Sequence, residues 1–531
     1  MHAAQSTNLA RFLAHTARRF PDRTALIHGE RRDTWSDIER RVDALCSALA
    51  AMGLRQGDRI LVHSRNGRQM FESCWVAFRL GCVWVPTNFR LTPPEVAYLG
   101  TQSGARAMIY DDVFAAHVDA VCAAAPALRH VVCIGTPRAG EASYEALVEQ
   151  HAGTPFDEAT VGHDDPAWFF YTSGTTGKPK AAVLTHGQMT FVVTNHLADL
   201  IPGTDERDVS IAVAPLSHGA GIHALLNVAR GAATVLMPSE KLEPELFWQL
   251  VERHRVSNLF TVPTIVKLLV EHPAVDRYDH ASLRYLIYAG APMYRADQKR
   301  ALEKLGKVMV QYFGLGEVTG CITVQTREMH SADDADPDAN IGSCGRPRTG
   351  MEVAILDGTM RRLPPGEVGE ICVRGPAVFA GYHDNPDATA KALRGGWFHT
   401  GDVGFLDARG LLTITGRESD MYISGGSNVY PREVEEVLLT HPGIAEVAVL
   451  GVPDAKWGEV GAAVVVRRAG VPPLDEAQLL AHLEGRCARY RWPRYVVFWD
   501  ALPKSGYGKI VKKDIRRLLL ERGEVPAVAP R

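Results

Sequence analysis

From about residue 55 to residue 320, short apolar runs rich in Val and Ile alternate with stretches of helical periodicity. No other feature constrains the fold of this 531-residue chain as strongly. One unit reads RILVHS (59–64), a helical stretch over 68–80, then CVWVPTN (82–88). Others are VSIAVAP (209–215) before GIHALLNVARG (221–231), and LRYLIYAG (283–290) before RADQKRALEKLG (295–306). Strands that alternate with helices predict an α/β fold of parallel-rich sheets covered by helices. The pattern changes at 345–416, where VAILDG, GEVGEICVRGP and GLLTITG predict a β-rich subdomain. After the polar stretch 417–420 a fresh α+β pattern begins, with PREVEEVLLTH (431–441), EVAVLGV (446–452), AQLLAHLEGRC (477–487) and KIVKKDIRRLLLER (509–522). Because one core cannot serve so long a chain, two or more domains are expected. The divisions are an N-terminal domain over 1–416, a hinge at 417–420 and a small C-terminal domain over 421–531. No internal repeat is visible, and the tail GEVPAVAPR is expected to be disordered.

Composition narrows the partners. The formal charge is -3, from 58 Lys+Arg against 61 Asp+Glu, which gives no reason to expect nucleic acid or an anionic membrane. The nine cysteines are scattered and never spaced C-x-x-C, so neither a disulfide framework nor a zinc site is suggested. The N-terminal stretch lacks the apolar region of a secretory signal, and no apolar run approaches the roughly 18 residues of a membrane span. The final Ala-Pro-Arg is no peroxisomal address. The basic helix at 509–522 reads as a solvated face. A cytoplasmic enzyme is the expectation, its oligomeric state open and a homodimer among the alternatives.

The strongest chemical signal is YTSGTTGKPKAAVLTH (171–186), just after the strand-like run Ala167-Trp168-Phe169-Phe170. In open α/β sheets, loops beyond a strand's carboxyl end bind ligands. Thr172, Ser173, Thr175 and Thr176 supply hydroxyls, and Gly174 and Gly177 free the backbone. Such a loop can wrap phosphate oxygens, with Lys178 and Lys180 adding charge. It is not a Walker A loop, because Pro179 stands where Ser or Thr would hold magnesium.

The segment resembles the signature of the acyl-adenylate-forming superfamily, which includes acyl-CoA synthetases, peptide-synthetase adenylation domains and luciferases. Further motifs resembling that superfamily follow in its order. PLSHGAGIH (215–223) resembles the acyl-pocket motif, with His218 at the substrate end beside the small residues Gly219, Ala220 and Gly221. AGAPM (289–293) resembles the adenine loop, with Gly290, Ala291 and Pro292 against the ring. QYFGLGE (311–317) resembles Q-G-Y-G-x-T-E, and implies nucleotide contacts from Gln311, Tyr312, Phe313 and Gly314. By that resemblance Phe313 would take the aromatic place by adenine, and Glu317 would be both a catalytic residue and the ligand of Mg²⁺, a hard cation that favours carboxylate oxygen. The chain departs from the pattern at Gly316, where the superfamily carries Thr, and at Phe313, where it carries Tyr. In WFHTGD (397–402) and TGR (415–417), Asp402 would accept the ribose hydroxyls with help from Arg417. ISGGSNVYPREVEE (423–436) resembles the thioester-forming loop, with Ser424, Gly425 and Gly426 beside a pantetheine arm. PKSGYGKI (503–510) resembles the motif of the catalytic lysine, which makes it Lys509. At the hinge, Ser419 replaces the usual Lys or Asp, and Ala181 replaces a usual Gly.

The resemblance implies a two-step ligase using ATP, Mg²⁺ and coenzyme A. A carboxylate first attacks the α-phosphate of ATP, and a thiol then takes the acyl group from the adenylate. The C-terminal domain is implied to rotate between the steps, exchanging Lys509 for the Gly425-Gly426 loop. The residues around His218 and Val262-Pro263-Thr264 suggest small apolar walls, so a fatty or aryl monocarboxylate is expected. Three alternatives stay open: a stand-alone enzyme that loads a carrier protein, a luciferase-like oxygenase, and an ATP sensor that no longer catalyses.

Overall fold

The computed structural model describes residues 7–526 other than 173–177, 240, 292, 418–419, 425–426, 455–456, 473 and 505–509. The expected alternation is present. Strand Arg59–His63 leads to helix Arg68–Arg79 and strand Val83–Pro86. Strand Val209–Ala212 leads to helix Gly219–Arg230, and strand Tyr285–Tyr288 to helix Arg295–Leu305. These elements belong to two large sheets, one of seven strands and one of nine.

The two sheets share one topology. In the first, parallel strands Arg59–His63, Val83–Pro86, Ala107–Asp111, His130–Ile134 and Ala142–Ser143 lie in the spatial order second, first, third, fourth, fifth. In the second, Val209–Ala212, Ala233–Leu236, Asn258–Thr261, Tyr285–Tyr288 and Met309–Phe313 repeat that order, again all parallel. The repeat expected to be missing is thus present in topology, without sequence periodicity to betray it. In such doubly wound sheets the carboxyl ends of the strands form the binding edge.

Two additions extend this frame. An antiparallel pair, Pro166–Thr172 with Lys180–Thr185, completes the first sheet beside Val83–Pro86. An N-terminal hairpin, Thr24–His28 with Arg31–Thr34, joins the second sheet at Ala233–Leu236. The helix after that hairpin, Trp35–Ala51, starts with a capping box in which Thr34 and Asp37 satisfy each other's backbone N–H.

The β-rich segment is a four-stranded antiparallel sheet of Glu352–Leu356, Gly369–Arg374, Phe398–Leu406 and Leu412–Arg417. Beyond it, the C-terminal unit is built on the long hairpin Ile444–Asp454 and Gly458–Arg467. Its strands are apolar at successive positions because both faces are covered. Val447, Val449, Ala463 and Val465 enter one core with Val434 and Leu479. Ala448, Leu450, Ala462 and Val464 enter another with Ile515 and Leu519. The tail departs from expectation, since Val525 is buried in that second core; an apolar side chain three residues past the helix-ending Arg522 can still reach it. Residues 527–531 lie outside the described residues. No helix among the described residues is long and apolar enough to cross a membrane.

Candidate functional site

Thr172 and Lys180 are direct partners across the antiparallel pair, so the expected phosphate loop is closed at its base. Ser173, Gly174, Thr175, Thr176 and Gly177 lie outside the described residues. The base carries a compact polar group around Glu317. Its carboxylate Oε1 accepts hydrogen bonds from the Thr172 hydroxyl at 3.2 Å and the Tyr382 hydroxyl at 2.9 Å. Glu317 is buried at the start of a single 3₁₀ turn, Gly316–Val318. The Lys180 ammonium sits 5.2 Å from the centroid of the Tyr382 ring. Burial and the Glu317 carboxylate hold the Tyr382 phenol well above its usual range, so it stays a hydrogen-bond donor. Tyr382 was not singled out in the sequence, where Gly-Tyr reads as a turn; its bridge to Ala182 brings it here.

Among the described residues, Glu317 Oε2 accepts no hydrogen bond. A buried carboxylate with one oxygen fixed and one open suits a hard divalent cation. Glu317 therefore fits the role that the motif implies.

Gly316 owes its identity to crowding. Its φ is not positive, so backbone strain is not the reason. A Cβ there would stand 2.7 Å and 2.8 Å from ring carbons of Phe170, and 2.8 Å from the Thr172 methyl. Gly314 is fixed similarly, because a Cβ would lie 2.3 Å from the Gly320 Cα.

On the adenine side, Gly290 follows strand Tyr285–Tyr288 with φ +86°, a conformation glycine adopts freely. Ala291 is next to it and Pro292 lies outside the described residues. Strand Met309–Phe313 splits the QYF triplet by alternation. Gln311 accepts a hydrogen bond from the Tyr288 hydroxyl at 3.0 Å. Tyr312 faces the other way and stacks on Phe260, centroids 5.7 Å apart and planes 17° apart. Phe313 shares the Gln311 face by that alternation. Asp402 and Arg417 pair across adjacent strands, with Arg417 Nε donating to Asp402 Oδ1 at 3.0 Å. Asp402 is buried, and its backbone N–H donates to the Thr400 hydroxyl at 3.0 Å.

The surroundings of His218 differ from the small apolar walls expected. The imidazole stacks on Phe170 at 4.4 Å, planes 29° apart. His218 precedes helix Gly219–Arg230, and Gly219 leaves the room that Phe260 fills; a Cβ there would be 2.6 Å from the Phe260 ring. Phe170, Phe260 and Tyr312 thus make this region aromatic, while Thr264 is exposed. Sequence reasoning missed Phe260, gave Tyr312 to the nucleotide and read Phe170 only as strand, because each comes from a different strand. Behind Phe260 lies a cavity of about 10 Å³ lined by Ser210, Leu216, Ala220, His223, Ala224 and Thr234 among others. Burial lowers the His223 pKa to about 4. Asn66, also missed, joins the two large sheets here: it donates to the Ala214 carbonyl and accepts from the Leu216 N–H, both at 2.9 Å.

In the C-terminal unit, Ser424 ends strand Tyr422–Ser424 and pairs with Ser427. Gly425, Gly426 and the hinge residues Glu418 and Ser419 lie outside the described residues. So does Lys509, although a bridge between Lys504 and Ile510 closes the base of its loop. The unit approaches the β-rich sheet at Gly416, where a Cβ would be 3.2 Å from the Tyr430 ring.

Residues 13–383 match the family model described as AMP-binding enzyme, and residues 433–509 that of the AMP-binding enzyme C-terminal domain. A feruloyl-CoA synthase from an Amycolatopsis species is 39% identical over 503 residues, 94% of this chain and 97% of that protein. An indoleacetate–CoA ligase from Aromatoleum aromaticum is 34% identical over 502 residues, 94% of this chain and 96% of that protein. Among solved structures, the amide bond synthetase McbA from Marinactinospora thermotolerans is similar with a TM-score of 0.86 at 28% identity, covering 96% of this chain and 99% of that one.

Proposed function

Since this chain belongs to the AMP-binding enzyme family and is an AMP-forming acid–thiol ligase, we propose that it joins a flat aryl or arylalkenoic monocarboxylate to coenzyme A. The observation that carries this reading is the aromatic lining beside His218. Phe170 covers one side of the imidazole, and Phe260, stacked on Tyr312, fills the space beside Gly219. Aromatic rings pack best against other rings, offset or edge-on, each pair adding about 0.5–1.5 kcal/mol beyond area burial. The cavity that Phe260 lines is about 10 Å³, far too small for a long alkyl chain. The acids named for the feruloyl and indoleacetate relatives are of the same shape and support the choice.

In the first step the carboxylate oxygen attacks the α-phosphorus of ATP, and the bond to pyrophosphate breaks. Both reactants are anionic, so positioning and charge neutralisation must supply most of the catalysis. Lys509 would bridge carboxylate and α-phosphate, and the loop 172–180 would hold the pyrophosphate. Thr172 and Tyr382 would hold Glu317 Oε1, leaving Oε2 for Mg²⁺, which when bound would neutralise phosphate oxygens. Asp402 with Arg417 would take the ribose hydroxyls. His218, kept in plane by Phe170, would border the acid carboxylate. In the second step the CoA thiol attacks the acyl carbon beside the Ser424–Gly426 loop, AMP leaves, and the thiol proton passes to solvent.

CoA-dependent AMP release across benzoates, hydroxycinnamates, arylacetates and fatty acids tests the reading. Aryl acids should exceed saturated fatty acids of eight or more carbons by at least tenfold in kcat/KM. A preference for the fatty acids would overturn it. The likeness to an amide bond synthetase favours a second reading, in which an amine replaces the thiol. Loss of free CoA thiol in step with AMP release supports CoA; amide formation with CoA left intact supports the amine.

A further inference from the structure

Away from the nucleotide residues, the four-stranded sheet gathers three ligand-type side chains on one face. Glu370 and Cys372 stand two apart on strand Gly369–Arg374, and His399 lies directly opposite Cys372 on strand Phe398–Leu406. Their ligand atoms all fall within 4.8 Å of one another. Cys372 Sγ is 3.4 Å from His399 Nδ1, which is 2.7 Å from Glu370 Oε2. Cys372 is fully buried and His399 nearly so. Glu370 is the side open to solvent, its side chain 19% exposed.

The imidazole is turned the way a metal ligand is turned. His399 Nε2 lies 3.2 Å from the Arg394 carbonyl oxygen, which can only accept, so Nε2 carries the hydrogen. Nδ1 on the other side faces the Glu370 carboxylate oxygen and the Cys372 sulfur; the 2.7 Å contact with the carboxylate is a hydrogen bond whose proton an incoming cation would displace. A ring nitrogen fixed by a carbonyl behind it is the usual support of a metal-bound imidazole. We propose that Glu370, Cys372 and His399 form a binding site for a thiophilic divalent cation, zinc being the representative ion.

The dimensions suit it. Tetrahedral zinc with bonds of about 2.3 Å to sulfur and about 2.0–2.1 Å to nitrogen separates those atoms by about 3.5 Å, close to the spacing of Cys372 and His399. The Glu370 oxygen must shift, opening its distance to Nδ1 by about 0.6–0.7 Å, to reach a tetrahedral position. Thiolate, carboxylate and neutral imidazole sum to two negative charges, which a divalent ion cancels. On binding, the Cys372 proton and the proton shared by His399 Nδ1 and Glu370 leave to solvent. The groups facing the site are these three and the Arg394 guanidinium, 2.9 Å from Glu370 Oε2. Arg394 is 46% exposed and free to move into water when an ion takes its place. Ala354, Leu356, Trp397 and Met360 pack with Cys372 on that same face, and a fourth ligand would be water entering from the Glu370 side. The site also touches the nucleotide region, since Glu370 Oε1 accepts the Gly401 N–H at 3.3 Å, immediately before Asp402.

Chelator-treated full-length protein titrated with cobalt(II), without ATP, tests the proposal. One equivalent should produce a near-ultraviolet thiolate charge-transfer band and visible bands of tetrahedral intensity, and zinc should abolish both. Cys372→Ser should remove the charge-transfer band, and His399→Gln should weaken binding at least tenfold. Zinc at one equivalent should change KM for ATP in the wild type and not in Cys372→Ser. No thiolate band in the wild type at millimolar cobalt overturns the site. A band that survives in Cys372→Ser and in His399→Gln, each with the wild-type melting profile, assigns it to another cysteine and overturns it equally. Should Cys372→Ser fail to fold, undiminished binding in His399→Gln is by itself the refuting result.

Discussion

Replacing Gly316 by Thr restores the hydroxyl of the superfamily pattern, and the structure says why it should bring no benefit. A hydrogen bond to a charged phosphate contributes about 1.5–3 kcal/mol, roughly ten- to a hundredfold in rate if expressed wholly in the transition state. Against it stands the Cβ, 2.7–2.8 Å from two Phe170 ring carbons and the Thr172 methyl. Ordinary contacts would need each neighbour to retreat by most of an ångström, and overpacking of this kind costs about 1–3 kcal/mol. The two magnitudes are alike, but the displacement is not neutral. Phe170 carries the stack on His218, and the Thr172 hydroxyl is one of two donors holding Glu317. We expect kcat/KM for adenylation to fall or stay within about threefold, with a lower melting temperature. Pyrophosphate release and a thermal melt read both quantities. A cycle with Phe170→Leu should show coupling, Gly316→Thr destabilising less when the smaller side chain is already present. A tenfold gain in kcat/KM with unchanged melting would refute the reasoning, and would show the glycine to be a plain deficit.

Tyr382→Phe removes one of the two donors on Glu317 Oε1; adenylation should slow by roughly tenfold and the Mg²⁺ concentration for half-maximal rate should rise, a change of either alone arguing against the pairing. Lys509→Ala should abolish pyrophosphate release from ATP and acid while largely sparing thioester formation from supplied acyl-adenylate; equal loss of both half-reactions in a folded variant counts against the division of labour. Acid should destabilise the fold, because burial lowers His63 to about 3 and His186, His223 and His330 to about 4. Folded pKa values below the unfolded value near 6.5 contribute stability above pH 6.5 that is lost as pH falls towards 4, each by up to about 1.4 kcal/mol per pH unit. A melting temperature equal at pH 7.5 and pH 5.5 would contradict this.

What the sequence disclosed was whatever is local along the chain. Apolar runs of four to seven residues between helical stretches are read by their period, and the strands at 59–63, 209–212 and 285–288 stand where that period put them. The nucleotide motifs are equally local: Thr172 and Lys180 face each other because their strands are close neighbours in the chain and pair antiparallel. What escaped was pairing between distant residues. Tyr382 reaches Glu317 across 65 positions, through a backbone bridge to Ala182 that no spacing announces. Phe170 stacks on His218, and Phe260, itself stacked on Tyr312, fills the space beside Gly219; the rings come from three strands in two sheets, so the walls looked small when judged from the residues beside His218 alone. The glycines among them were read as open space for substrate, yet Gly219 is small because Phe260 occupies the room. Gly316 obeys the same logic with Phe170. At Gly219 and Gly316 a missing side chain marks where an aromatic ring from elsewhere has entered, and the proposed acid must fit between those rings.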